Sequence, residues 1–555
     1  MAEKISRRSF LKTGAIAAGA LGIGFYGGTR IRTNNPFDTI IKNGTIYTGD
    51  GKAPIIGDVG IKNGKIAAIG NLGNYADNIL DVHGLAVSPG FVDIHSHTDT
   101  NLLVAPKGDS RIFQGVTTDI GGNCGDSPFP YSDAYFKTKK DTIRHGYPFW
   151  QDVDGFYDAL RKNKIGINYG SYTGQGQLRS AVVGDNAVAA TAAQLDKMKG
   201  ILADEMDAGC IGLSCGLEYA PGSYATDEEL VELCKVVAAK DGLFAIHMRN
   251  EDDRVEQSIK EAIAIARKSG VRLQISHLKA QNANNWHKGP AMLKLIEEAR
   301  AEGIDVAFDR YPYIAFSTGL NSFIPLADRQ GSNEEVLARL IDEKKAAEIG
   351  KYAESRFKRL GGPQNVVVVG FQLPENKKFI GKNLVECCEM TGMEPWPFVR
   401  KMLIDEKLYP DIIGFAMHED NVRLFLSHPL GMPASDGSVY SPEGPLGETM
   451  PHPRSYGSFT RFFGKYVRED KICDLSTAVY KATALPASRL HLKERGLLVP
   501  NYAADIVVFN PETIIDLSSF VDPHKFNAGI EHVFVNGVWT IKDGAHTGEL
   551  AGQVI

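Results

Sequence analysis

Val87 to Asp99 read V-S-P-G-F-V-D-I-H-S-H-T-D. A short apolar run, broken by Pro-Gly and ending in His95 and His97, predicts a buried strand. Its C-terminal tip puts two imidazoles on one side, because side chains at i and i+2 share a face. Neutral imidazole is the commonest protein ligand for zinc-like ions, and strand tips at the mouth of a parallel barrel are where such proteins carry their chemistry. Two histidines on a strand are also ordinary polar residues, so this spacing decides nothing alone.

Toward the C-terminus, short apolar runs alternate with stretches of helical periodicity, the pattern of a parallel βα architecture. Candidate strands are Phe91 to His95, Thr117 to Gly121, Ile167 to Tyr172, Cys210 to Cys215, Leu243 to Met248, Leu273 to His277, Asp305 to Tyr311 and Met432 to Asp436. Candidate helices include Ala192 to Ala208, Asp227 to Lys240, Glu256 to Lys268 and Ala291 to Ala301. Eight strand-helix units close a (β/α)8 TIM-like barrel, expected over residues 88–491. The connection from Tyr313 to Leu430 is too long for a bare loop. It carries helical segments at Asn333 to Arg359 and Asn383 to Leu403 and a strand-like V-V-V-V-G-F-Q from Val366. These predict a subdomain over 330–410, inserted between strands seven and eight as packing or as a substrate lid.

Toward the N-terminus, Asp38 to Ile69 reads as short strands, with Asn43-Gly44 and Asn63-Gly64 as hairpin signals. Ala504 to Phe509 and Ile530 to Trp539 repeat that texture at the far end. Neither piece is long enough for its own core. The expectation is one small composite β-sandwich domain from 35–87 and 492–555, clasping the barrel.

The 555 residues, 43% hydrophobic and 23% charged, suffice for one large globular domain with satellites. A net charge of -6 gives no basic stripe, which excludes a nucleic-acid partner. Seven cysteines, an odd number without framework spacing, leave stability to core burial. Within residues 1–34, Ser6-Arg7-Arg8-Ser9-Phe10-Leu11-Lys12 precedes a Gly/Ala-rich apolar run from Ala15 to Gly28 that is short for a membrane span. This resembles a twin-arginine export signal. It implies the twin-arginine export machinery as a partner, a periplasmic or cell-envelope address, and either cleavage or retention as an N-terminal membrane anchor.

The strand tips carry the chemistry. The first gives His95 and His97, the second ends in G-G-N-C-G with Cys124, the fifth in F-A-I-H-M-R with His247, the sixth in I-S-H-L-K with His277, and the eighth in A-S-D-G with Asp436. One buried histidine or cysteine is ordinary packing. Several such endings converging on one rim predict a metal site.

These residues and their order resemble the amidohydrolase superfamily, in its N-acyl-D-amino-acid deacylase (D-aminoacylase) group. The motifs are G-F-V-D-I-H-S-H-T-D, Q-G-V-T-T-D-I-G-G-N-C-G, G-L-S-C-G-L-E-Y-A-P-G, H-M-R-N-E, S-H-L-K, D-R-Y-P-Y, A-S-D-G and H-P-R-S-Y-G-S-F. The resemblance implies zinc-dependent hydrolysis of the amide bond of N-acyl-D-amino acids. It places Cys124, His247 and His277 on a tightly bound Zn2+, with His95, His97 and Asp436 around a second, weaker position. It also makes Asp436 the proton carrier and has Lys279, Tyr311 and Arg454 grip the substrate α-carboxylate. The chemistry of the residues agrees, since one thiolate and two imidazoles leave the fourth tetrahedral position of zinc open, as in a catalytic site. Many two-metal amidohydrolases carry a bridging carboxylated lysine on strand four; C-I-G-L-S-C-G-L-E-Y has no lysine, and Cys124 supplies an anion instead.

Three departures from the group stand out. Gly174-Gln175-Gly176 replaces a common G-H-G, the stretch from Asp436 to His452 is longer than usual, and Arg310 puts a charge where an apolar residue is common. Substrate identity therefore stays open between an N-acyl amino acid and another exported amide, such as a dipeptide or cyclic amide. A catalytically silent barrel should have dropped Cys124, His247, His277 or Asp436, and all are present.

Overall fold

The computed structural model describes residues 35–555, so the twin-arginine stretch lies outside the described residues. Strand Phe91–Asp93 pairs in parallel with Val116–Gly121, which pairs in parallel with Asn168–Ser171. The chain then passes directly into Thr173–Gly174. That short strand opens a six-stranded sheet continuing in parallel through Gly212–Gly216, Leu243–His247, Arg272–Ile275, Val306–Arg310 and Gly431–Pro433. The last strand returns to the first: Asp436 N donates to His95 O at 2.8 Å, and His97 N donates to Gly437 O at 2.7 Å.

Period-2 alternation decides what each strand face does. Phe244 and Ile246 pack outward on helices Asp227–Ala239 and Val255–Ser269, in a core with Leu230, Val237, Ile259 and Ile263. Leu243 and Ala245 face the other way, meeting Val92, Ala307 and Met432. His247 continues that inner face one step further, where apolar filling stops and polar groups begin. Fully burying a Leu, Ile or Phe contributes about 1.5–3 kcal/mol, so this packing holds the histidine's backbone firmly.

Between the last two parallel strands the chain builds a separate core running from Tyr311 to Met417. Its sheet is antiparallel, with Asp411–Phe415 flanked by Ala315–Gly319 and Val366–Val369. Two of those strands escaped the sequence reading, because A-F-S-T-G and D-I-I-G-F are short and end or break at glycine. The two long helical segments expected there are each split. Asp342 ends Asn333–Ile341 and caps the next helix, Glu343–Arg359, by accepting from Lys345 N at 2.8 Å. Gly392, at φ +69°, ends Leu384–Thr391 before Pro395–Asp405 begins.

Strands from both ends of the described chain form one nine-stranded sheet, joined where Ile506–Phe509 pairs antiparallel with Ala86–Pro89. The last residues do something the sequence did not signal. They run along strand Asn168–Ser171, with Tyr169 N donating to Gln553 O at 2.8 Å and Ile555 N to Tyr169 O at 2.9 Å.

Candidate metal centre

Each predicted ligand sits at or just beyond the end of a parallel strand, and at three of them the backbone bends sharply. Cys124, His277 and Asp436 adopt φ of +53°, +37° and +49°, the left-handed region that non-glycine residues rarely occupy. Those turns aim their side chains across the ring. His277 Nε2 lies 2.9 Å from His247 Nδ1 and 3.4 Å from Cys124 Sγ. Cys124 Sγ is also 3.4 Å from His95 Nε2, and Asp436 Oδ1 is 3.1 Å from His97 Nε2 and 3.4 Å from His95 Nε2. Three groups able to hold an ion result: Cys124–His247–His277 and His95–His97–Cys124–Asp436 share the sulfur, and Glu218–His247–Glu251 shares His247 with the first.

A tetrahedral zinc with ordinary bond lengths separates two nitrogens by roughly 3.3 Å and a sulfur from a nitrogen by roughly 3.6 Å. The spacings of 2.9 and 3.4 Å are slightly tighter than that and need only small opening. The protonation chemistry fits too. Burial resists charge on Cys124, yet the imidazoles of His95, His277 and His247 outweigh it and hold the thiol well below its ordinary pKa, as a thiolate. Burial likewise opposes protonation of His247, but Glu251, Cys124 and Glu218 raise it to about 10. His97 is raised to about 10 against burial by Asp436 and Cys124. Without metal, protons balance the anions of this site; a dication takes their place and displaces them.

The sequence model of the amidohydrolase family matches residues 78–349 and 393–541. A D-aminoacylase of Alcaligenes xylosoxydans xylosoxydans is 34% identical over 525 residues, covering 94% of this chain and 98% of the relative. This chain belongs to the D-aminoacylase family of amidohydrolases. An N-acyl-D-glutamate deacylase of the same organism is also 34% identical, over 90% of this chain and 93% of its own. The crystal structure of N-acyl-D-glutamate deacylase from Bordetella bronchiseptica, complexed with zinc and a phosphonate mimic of the tetrahedral intermediate, superposes with a TM-score of 0.78. It shares 33% identity and covers 93% of this chain and 99% of that one.

The family's expected carboxylate-binding residues gather at the same cavity, of about 950 Å³, which Lys279, Tyr311 and Arg454 line together with Cys124, His247, His277 and Asp436. Tyr311 is fully buried and its Oη has no hydrogen-bond partner. The Arg454 guanidinium lies 4.9 Å from its ring centre and Lys279 Nζ 5.9 Å. Arg454 Nη1 donates to Asp436 Oδ2 at 2.6 Å, so the longer stretch before His452 still returns this arginine to the metal ligands. His452 anchors that turn, its Nδ1 accepting from Arg454 N and its Nε2 meeting Ala315 O, each at 2.9 Å. Lys279 is only 3% exposed and donates to Glu251 at 2.7 Å.

The other departures have structural outlets. Gln175 turns away from the metal centre and donates to Glu229, the buried partner of Arg179. The Arg310 guanidinium stacks 4.1 Å from the Tyr311 ring centre and donates to Tyr313 O. Sequence reasoning missed three carboxylates behind the histidines: Asp309, Glu218 and Glu251. Each stood inside a quoted motif, but the histidine it faces most closely is 26 or more residues away; only the longer 3.9 Å approach of Glu251 to His247 has a local, i,i+4 spacing.

Proposed function

We propose that this chain is a zinc-dependent hydrolase cleaving the amide bond of N-acyl-D-amino acids to a carboxylate and a free amino acid. One observation carries the reading: a thiolate, two imidazoles and an arginine-paired carboxylate share the floor of a single cavity. Cys124, His247 and His277 would hold the zinc, which would supply Lewis-acid chemistry to water and to the acyl carbonyl. A second, weaker position falls to His95, His97, Cys124 and Asp436.

The chain's own groups do the rest. Arg454, Tyr311 and Lys279 fix the substrate's α-carboxylate, and Tyr311 Oη is the donor with nothing else to bond. Asp436 accepts the proton lost by the attacking water and delivers it to the departing amine. Burial alone would raise its pKa, but Arg454, His277, His95 and His97 keep it well below the usual range, so it is a carboxylate before reaction. Fixing the α-carboxylate and the scissile carbonyl leaves one direction for the side chain, which selects one hand of substrate.

The parallel strands are read as a closed (β/α)8 barrel. The return of Asp436 and Gly437 to His95 and His97 supports this, as does the continuous run from Asn168 to Gly174 that joins the two parallel sheets. The nine-stranded sheet is read as the composite β-sandwich domain, and Tyr311 to Met417 as a wall inserted over the site. Arg7-Arg8 and the apolar run behind them support export by the twin-arginine route to the periplasm or cell envelope, with the N-terminus cleaved or kept as an anchor. Lysine substitution of both arginines then strands the protein in the cytoplasm on cell fractionation; unchanged export rejects the route.

The deciding experiment is release of free amine by the zinc-counted protein from N-acetyl and N-formyl amino acids and dipeptides of both hands. Turnover of N-acyl-D-amino acids is the expected result. Turnover confined to dipeptides overturns it.

A further inference from the structure

The zinc-facing histidines turn their remaining ring nitrogen toward a carboxylate. His95 Nδ1 lies 3.1 Å from Asp309 Oδ1, His277 Nδ1 3.1 Å from Glu251 Oε1, and His247 Nε2 3.6 Å from Glu218 Oε2. Glu251 differs from the other two because it also holds a group from the substrate side of the cavity. Lys279 Nζ donates to the same Oε1 at 2.7 Å, and Gln281 Nε2 donates to Oε2 at 2.9 Å. We infer that Glu251 is a positioning residue with two tasks: it orients the zinc ligand His277 and it holds Lys279 in place for the substrate's α-carboxylate. The inference rests on the hydrolase reading above.

Hydrogen-bond bookkeeping requires such a group. His277 Nε2 faces Cys124 and His247, so it is the metal-side nitrogen, and the neutral ring then carries its proton on Nδ1. Lys279 Nζ lies only 2.7 Å from that Nδ1, and an ammonium has protons to give and no lone pair to offer. Two donors cannot satisfy each other, so both need an acceptor between them. Glu251 Oε1 is within reach of both, and at 1% exposure no bulk water competes for it. Carboxylates behind metal-bound histidines fix ring orientation, and their loss commonly weakens metal binding. Here the same loss also frees the lysine.

Asp309 does not share this double duty, since it accepts from Gln274 Nε2 and His277 N beside His95. Glu218 stands on the cavity wall, with its side chain 28% exposed. Glu251 alone among these three joins a zinc ligand to a substrate-binding cation.

The test measures zinc affinity by competition with a chromogenic chelator, and steady-state kinetics on an N-acetyl-D-amino acid at saturating zinc. E251Q keeps the shape and removes the anion. It should bind zinc about 10–100-fold more weakly and, once zinc-saturated, show KM raised about tenfold with kcat changed less, as loss of one charge-assisted contact predicts. E251D should recover part of both properties. Zinc affinity and KM both within about twofold of the unsubstituted protein, the ordinary scatter of surface changes, overturn the inference. A change in zinc affinity alone, or in KM alone, overturns the double role. Should E251Q not fold, as judged by circular dichroism, E251D carries the same two readouts at smaller size. If the unsubstituted protein releases no amine from any N-acyl-D-amino acid, the hydrolase reading falls, and chelator competition still decides the part played at His277.

Discussion

At the cavity floor, Cys124, His277 and Asp436 sit in left-handed backbone at φ +53°, +37° and +49°. On the wall, Phe316, Ser317 and Thr318 project from a regular antiparallel strand, Ala315–Gly319. Holding a bulky residue in a sparsely populated region costs on the order of 1–3 kcal/mol and persists only where surroundings dictate it. The floor accepts that cost at several ligands because the strands leading to Cys124 and His277 are locked by parallel pairing on both sides, and the strand leading to Asp436 pairs with Val306–Arg310. The wall has its own core and its own sheet, so it can vary without disturbing the floor. The contrast implies a division of labour. Floor residues fix the metal and the reaction, and wall residues tune which substrate reaches it.

Two floor substitutions should show the largest effects. Cys124→Ala removes the sulfur shared by two of the three groups of potential ligands. Zinc should be lost on dialysis and turnover should fall about a thousandfold or more, since metal chemistry supplies several kcal/mol of barrier lowering. Metal analysis of the purified variant checks this, and stoichiometric zinc in it would mean another residue supplies the anion. Asp436→Asn should lower kcat about 10²–10⁴-fold, the usual worth of a positioned proton carrier, while zinc stays bound at Cys124, His247 and His277. Near-normal turnover in that variant removes Asp436 from proton transfer.

Acid should distinguish the regions next. Against burial, Glu251, Cys124 and Glu218 raise the His247 pKa to about 10, yet zinc binds only the neutral ring. Binding therefore displaces a proton, and zinc affinity should climb about tenfold per pH unit per proton through neutrality, flattening near pH 10. Cys124, already a thiolate, contributes no further slope. Chelator competition across that range measures it. A flat profile would show that the imidazoles enter the site uncharged, and the charge balance described for the floor would be wrong.

What could be read from the sequence follows the same division. His95, Cys124, His247, His277 and Asp436 were legible because each ends an apolar run, and parallel strands bring such ends together. The carboxylates behind them were not, because Glu251 lies 28 residues from Lys279 and Asp309 lies 214 from His95. Only packing creates those pairs. In the wall, composition misled in another way. The helical run at Asn333 to Arg359 has no proline or extra glycine at its break, only Asp342, which competes for backbone donors and serves as a cap. The carboxylate-binding assignment of Lys279, Tyr311 and Arg454 came from family resemblance, since three polar residues spread over 175 positions carry no local signature.

Tyr311 tests whether floor and wall are separable, because it lies at the start of the wall's core yet faces the cavity. Its hydroxyl is buried without a partner, an arrangement that ordinarily destabilises a protein unless a ligand completes it. Tyr311→Phe keeps the ring against the Arg310 and Arg454 guanidiniums and removes only the unpaired oxygen. The expected loss is one hydrogen bond to the substrate carboxylate, about 1 kcal/mol or roughly fivefold in KM. Thermal stability should be unchanged or slightly higher, and zinc affinity untouched. An unaltered KM would take Tyr311 out of substrate binding. Weakened zinc would be the more damaging outcome, because a wall oxygen with no hydrogen bond to any metal ligand would then be governing the floor.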